Sequence, residues 1–316
     1  MPRPEPGFRE LHVRIGLLVL VALLPAGSLL AKLDVESQLA LVALPIAVLG
    51  VLHGALDPWV GDVMMRDRLG YRARSLFIAS YLAVMAAVIL CWILAPLPTL
   101  TVFLAISVLH FGEQDASVFA SKSDGLSIVV FGAVTVLAPI AAHPTEVAVI
   151  FGWLVGIEKE VLSGLLTRIS HPLIALWLVG LGMLVARMLI ERDRTGRFQL
   201  TGLAVLAATM ILLPPLIAFA AYFCLLHSFG HLLDMAESAS GPWSKWTLQQ
   251  WAARLWPATL ATLALGMSGW VILSGINAES AVGREALAQV IFCGLAALTV
   301  PHVLLYAMFR RRHVHQ

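Results

Sequence analysis

A chain of 316 residues that is 59% hydrophobic and only 13% charged, with a mean hydropathy of +0.88, is not an ordinary globular domain, in which about a quarter of residues are charged. A net charge of +2, with no basic tract interleaved with aromatic residues, argues against nucleic-acid binding. A hydrocarbon solvent fits this composition, and lipid provides it.

Apolar runs of about twenty residues, long enough to cross a hydrocarbon core roughly 30 Å thick, recur from residue 15 to residue 309. The first, 15–33, is long for a signal-peptide core and lacks a small-residue cleavage site, so it reads as a retained span. Further spans are expected at 38–56, 75–95, 97–120 and 126–142. A less apolar stretch, 143–170, carries Glu146, Glu158, Lys159, Glu160 and Arg168 and reads as a lid with a shallow helix. The next span is placed at 172–190. Residues 200–235 are too long for one crossing and are interrupted by Pro214 and Pro215, which cannot continue a helix smoothly. That stretch is therefore split into two spans, and the last crossings are placed at 255–273 and 286–309.

Basic residues near the membrane accumulate on the cytoplasmic side. Arg3, Arg9 and Arg14 precede the first span; Arg66, Arg68, Arg72 and Arg74 follow the second; Arg192, Arg194 and Arg197 follow the sixth; Arg310, Arg311 and Arg312 follow the last. Ten spans put all four groups inside, and eight crossings are the alternative. The expectation is an all-α, polytopic transmembrane helical bundle of eight to ten spans, ten preferred, forming a single domain over residues 1–316. The setting is a cell membrane, the bacterial inner membrane, with cytoplasmic N- and C-termini. Cys91, Cys224 and Cys293 lie in apolar runs with no paired spacing and read as small buried hydrophobes.

Ionisable side chains at membrane depth are costly and often functional, and imidazole is a common metal ligand. His53, His110, His227, His231 and His302 all fall in the cytoplasmic halves of their spans under the ten-span reading, so one shared site is geometrically open to them. His227 and His231 are four apart and share a face of an α-helix. A metalloprotease helix needs Glu directly after its first His, and Ser228 stands there instead. An iron site of two His and one carboxylate could draw on Asp57, Glu113 or Asp115, whereas four imidazoles are the simpler set. Asp57, Glu113 and Asp234 lie three or four residues after a histidine and are expected to orient those rings.

These motifs resemble those of the Brp/Blh family of membrane-integral β-carotene 15,15'-dioxygenases. The resemblance spans most of the chain and rests on GVLHGALD at 50–57, HFGEQD at 110–115, HSFGH at 227–231 and TVPH at 299–302. It implies Fe(2+) held by His53, His110, His227 and His231, with His302 as an additional site residue of open role. It also implies O2-dependent cleavage of beta-carotene at the central 15,15' bond to two molecules of all-trans-retinal, with hand-off of retinal to a rhodopsin. The chain departs from the family pattern at Pro58, where a further His is expected after the Asp. A carotenoid is an apolar rod dissolved in lipid, so membrane residence suits it as a substrate. The rival readings are a di-iron desaturase or hydroxylase, which carries more histidine boxes than the single HxxxH here, a bis-histidine haem protein, and a transporter.

Overall fold

The computed structural model describes residues 8–119, 123–191, 196–237, 242–276 and 282–314, apart from the side chains of His53, Ile276, Val282 and residues 311–314. Among these residues every regular element is helical. The elements are α1 (Phe8–Leu23), α2 (Gly27–Leu30), α3 (Val35–Pro45), α4 (Asp57–Leu69), α5 (Ala73–Leu94), α6 (Pro96–Phe119) and α7 (Gly125–Ala142). The second half holds α8 (Pro144–Val155), α9 (Lys159–Ile190), α10 (Gly196–Leu212), α11 (Pro215–Ala221), α12 (Phe229–Glu237), α13 (Leu248–Ile276) and α14 (Val282–Val314).

Helix starts follow local chemistry. Asp34 and Asp124 cap α3 and α7 by accepting from the Ser37 and Ser127 amides at 2.8 and 3.0 Å. The Asp34 carboxyl is held below its ordinary range by the Ser37 side chain and amide. Pro96, Pro144 and Pro215 open α6, α8 and α11, where a missing amide donor costs nothing. Pro214 is extended and separates α10 from α11, as the double proline predicts.

Among the described residues, eight helical stretches are long and apolar enough to cross a membrane. One of them, Val35–Leu94, is 60 residues long and contains the turn at Gly70, whose φ of +56° suits glycine; α4 packs back against α5 there. Dividing that stretch at the turn, and counting the 17-residue apolar α10, gives ten crossings. One expectation needs correcting: the span placed at 172–190 begins earlier, because α9 runs unbroken from Lys159 with Pro172 inside it. The Ser170 hydroxyl and His171 Nδ1 lie 3.1 and 2.6 Å from the Thr167 carbonyl, satisfying backbone polarity within the same turn. The lid is thus reduced to α8, whose Val147, Ala148, Ile150 and Leu154 are buried. The three cysteines are free.

The tightest helix contact joins α6 and α7. A Cβ on Gly112 would lie 1.9 Å from the Ile128 carbonyl oxygen, and one on Gly132 would lie 1.8 Å from that of Val108. Small residues let backbones approach where lipid offers no hydrophobic drive between helices. This contact fixes α6 two residues after His110.

Candidate functional site

Two helices lose α-geometry where they carry histidines. Residues Ile46–Gly50 and Tyr222–Ser228 are π-helical, and Val51–Leu56 is a 3-10 turn. Such segments leave carbonyls without their usual helical partners, and in a bilayer these must be satisfied within the protein. The Ser228 hydroxyl donates to the Leu49 carbonyl at 2.6 Å, and Gln114 Nε2 donates to the His227 carbonyl at 2.8 Å. The Cys224 thiol reaches the Pro45 carbonyl at 3.5 Å. Gly50 admits the Phe223 ring, since a Cβ there would come within 2.5 Å of Cε1. The two widened segments therefore lock together through side chains that the sequence pattern alone does not single out.

On this frame His110, His227, His231 and His302 come together from α6, the 222–228 segment, α12 and α14. Their rings form a chain: centroids are 4.8 Å apart for His227 and His110, 5.3 Å for His110 and His302, and 5.1 Å for His302 and His231. His53 belongs to the 3-10 turn, but its side chain lies outside the described residues. Asp57, expected to orient a histidine, does so for a histidine distant in sequence. Its two oxygens lie 2.9 and 3.0 Å from His302 Nδ1, and both residues are 1% exposed. The Tyr81 hydroxyl donates to Asp57 Oδ2 at 2.8 Å and fixes the carboxylate in turn. An ionised carboxylate only accepts, so with Asp57 ionised and the ring neutral the proton would sit on His302 Nδ1 and leave the Nε2 lone pair facing away from Asp57.

The remaining carboxylates have other engagements. Glu113 accepts from Arg310 at 2.6 Å, and Asp234 is ion-paired with Arg9. Asp115 Oδ2 accepts from the buried Tyr222 hydroxyl at 2.8 Å. The sequence does not single out Tyr81 or Tyr306, since a lone tyrosine in an apolar run carries no spacing signal. The Tyr306 ring packs at 4.7 and 4.6 Å from those of His231 and His302, and its buried hydroxyl has no hydrogen-bond partner among the described residues.

The donor chemistry suits a divalent transition metal. The Nε2 atoms of His110 and His227 face each other at 3.1 Å. Two imidazole nitrogens each roughly 2.1 Å from one ion, at angles of about 90–110°, lie about 3.0–3.4 Å apart. Among the described residues, no three His, Cys, Asp or Glu side chains are grouped closely enough to coordinate one ion as they stand. The fit rests on this facing pair and on His302 held from behind by Asp57.

Two cavities meet the region. A polar-lined one of ≈ 470 Å³ is bordered by His110, His231, His302 and Tyr306 together with Arg9, Glu113, Asp234, Glu237 and Arg310; His302 is buried, whereas Glu237 and Arg310 are exposed. The other, ≈ 210 Å³, is bordered by Ile15, Val19, Leu49, Leu52, Leu225 and Phe229, with His12 and Cys224 alongside, and is mostly apolar. Beside His227, Phe223 and then Phe219 form a stacked aromatic row, with centroid distances of 5.7 and 5.2 Å.

Residues 44–310 match the profile of a protein family described as beta-carotene 15,15'-dioxygenase. The chain is 30% identical over 273 residues to a protein named Beta-carotene 15,15'-dioxygenase from the uncultured marine bacterium 66A03, covering 85% of this chain and 92% of that one. It is 24% identical over 320 residues to the Probable beta-carotene 15,15'-dioxygenase Blh of Halobacterium salinarum, covering 90% and 87%. No solved structure matches.

Proposed function

The chain belongs to the beta-carotene 15,15'-dioxygenase family and cleaves carotenoids in the membrane, and we propose that it uses Fe(2+) and O2 to split the central 15,15' double bond of beta-carotene into two molecules of all-trans-retinal. The observation that carries the metal reading is the chain of four histidine rings, with Asp57 behind His302. His53, His110, His227 and His231 are the proposed ligands, and His302 joins them as the residue whose lone pair is aimed by a carboxylate. When bound, Fe(2+) supplies the activation of O2 next to the double bond.

The protein's own residues supply position and dryness. Asp57 keeps His302 in one tautomer, Tyr81 keeps Asp57 in place, and the Phe223–Phe219 row gives a conjugated chain a flat apolar wall. The apolar cavity reaches Leu52, the neighbour of His53, and offers a lipid-soluble rod a lateral approach between α1 and the 46–56 segment. Both oxygen atoms of O2 go to the two aldehydes, so no reductant is needed. A rhodopsin receiving retinal is the partner that the family resemblance suggests. Arg9 near the first helix's start and Arg310 near the last helix's end border the same cavity, which favours an even number of crossings. With the basic groups inside, both ends lie in the cytoplasm of a cell whose inner membrane holds the protein.

Expression in cells that accumulate beta-carotene tests the reading directly. Loss of orange colour with one pair of retinal molecules per carotene is expected; unchanged pigment, or a longer and a shorter apocarotenal from off-centre cleavage, would overturn it. Purified His227→Ala should contain no iron and form no retinal.

A further inference from the structure

We propose that the polar cavity is the path by which a hydrated divalent cation reaches the histidines, gated by the Arg9–Asp234 and Arg310–Glu113 ion pairs. This rests on the metal reading above and assigns a task to residues which that reading leaves idle. A carotenoid, O2 and retinal all partition into hydrocarbon, so none of them needs a charged approach. A metal ion does need one, because stripping its hydration shell in lipid is prohibitive. The two cavities divide accordingly: one is bordered mainly by Leu, Ile, Val and Phe, the other by three carboxylates, two guanidinium groups and three imidazoles.

The ligand types that line the polar cavity suit stepwise dehydration. Glu237 is exposed and His302 is buried, with Glu113, Asp234, His110 and His231 half-buried between them, so hard carboxylate oxygens and the softer imidazoles that favour a later transition metal share one cavity. The buried Tyr306 hydroxyl lines the same cavity without a hydrogen-bond partner among the described residues and can accept from a water travelling with the ion. The two pairs differ in how firmly they are held. Arg310 and Glu113 have side-chain exposures of 52% and 34%, and exposed ion pairs are weak and screened by salt, whereas Arg9 is held further by the Ser117 hydroxyl and by its amide bond to Glu237. Each pair also ties two helices together, α1 to α12 and α14 to α6, so a small outward movement of either terminal helix frees a carboxylate.

The test is the rate of metal loading. Metal-free protein in nanodiscs is mixed anaerobically with Fe(2+), and bound iron is measured after rapid desalting at successive times. The double variant Glu113→Gln/Asp234→Asn is expected to load about tenfold or more slowly, the range by which a charged cleft raises association rates, yet to reach the same final iron per chain. Each single variant should show a smaller slowing, which keeps the test alive if the double variant does not fold. Loading of the wild-type protein should slow with added salt, and loading of the variants should not. Unchanged loading in folded variants overturns the path while leaving the metal site standing. His227→Ala provides the separate check: if it retains iron, the metal site itself is wrong.

Discussion

The segments carrying His53 and His227 and the long helix α9 handle backbone polarity in different ways. In α9, Pro172 removes the backbone donor of the Arg168 carbonyl, and the side-chain bonds of that turn, from Ser170 and His171, stay local and go to the neighbouring Thr167 carbonyl. The helix stays regular from Lys159 to Ile190. In the 46–56 and 222–228 segments the helix is widened or tightened, and carbonyls are reached by side chains from other elements, such as Ser228 to Leu49 and Gln114 to His227. Bonds kept within one turn leave a helix untied to its neighbours. A repair made across elements ties distant parts of the chain into one cage, and the histidines lie where those ties are made.

If that contrast holds, substitutions near the cage should be far more costly than equivalent ones in α9. The largest effect is expected from Gly112→Leu, because its Cβ would collide with the Ile128 carbonyl; detergent-solubilised protein should lose its monodisperse peak in size exclusion. Gly182→Leu in α9, where nothing lies within 4 Å of an added Cβ, should elute as wild type. Asp57→Ala frees His302 to rotate and should weaken iron binding by about 10–100-fold, the usual cost of losing the partner that orients a ligand, measured by competition with a chelator. Asp57→Asn retains an acceptor and should recover part of that loss. Ser228→Ala leaves the Leu49 carbonyl short of its donor and should cost about 1–3 kcal/mol, read from the unfolding midpoint in mixed detergent. Pro172→Ala restores a backbone donor inside α9 and should not destabilise the protein, and it should leave retinal formation intact. A large loss of activity in Pro172→Ala would break the comparison.

Much of this organisation is legible in the chain itself. Runs of Leu, Val and Ala mark the crossings because lipid demands them, the double proline marks the break after α10, and charged or imidazole groups at membrane depth mark the site. Other parts follow from long-range geometry. The spacing between His53 and Asp57 suggests a local pair, whereas the described contact of Asp57 is with His302 of the last long helix. Similarly, the spacing of His227 and His231 implies a shared α-helical face, but the π-helical segment ends between them, and their described ring partners are His110 and His302. Widened turns of this kind come from how helices fit one another, and local residue preferences do not encode them. The continuity of α9 through Pro172 escapes the sequence for a related reason: proline forecasts a break, yet α9 runs through it from Lys159 to Ile190.

His302 and Arg310 both belong to α14, which follows every other element of the site in chain order. A chain cut before α14 therefore lacks the imidazole partner of Asp57, the ring that joins His110 to His231, and two further residues, Tyr306 and Arg310, that border the polar cavity.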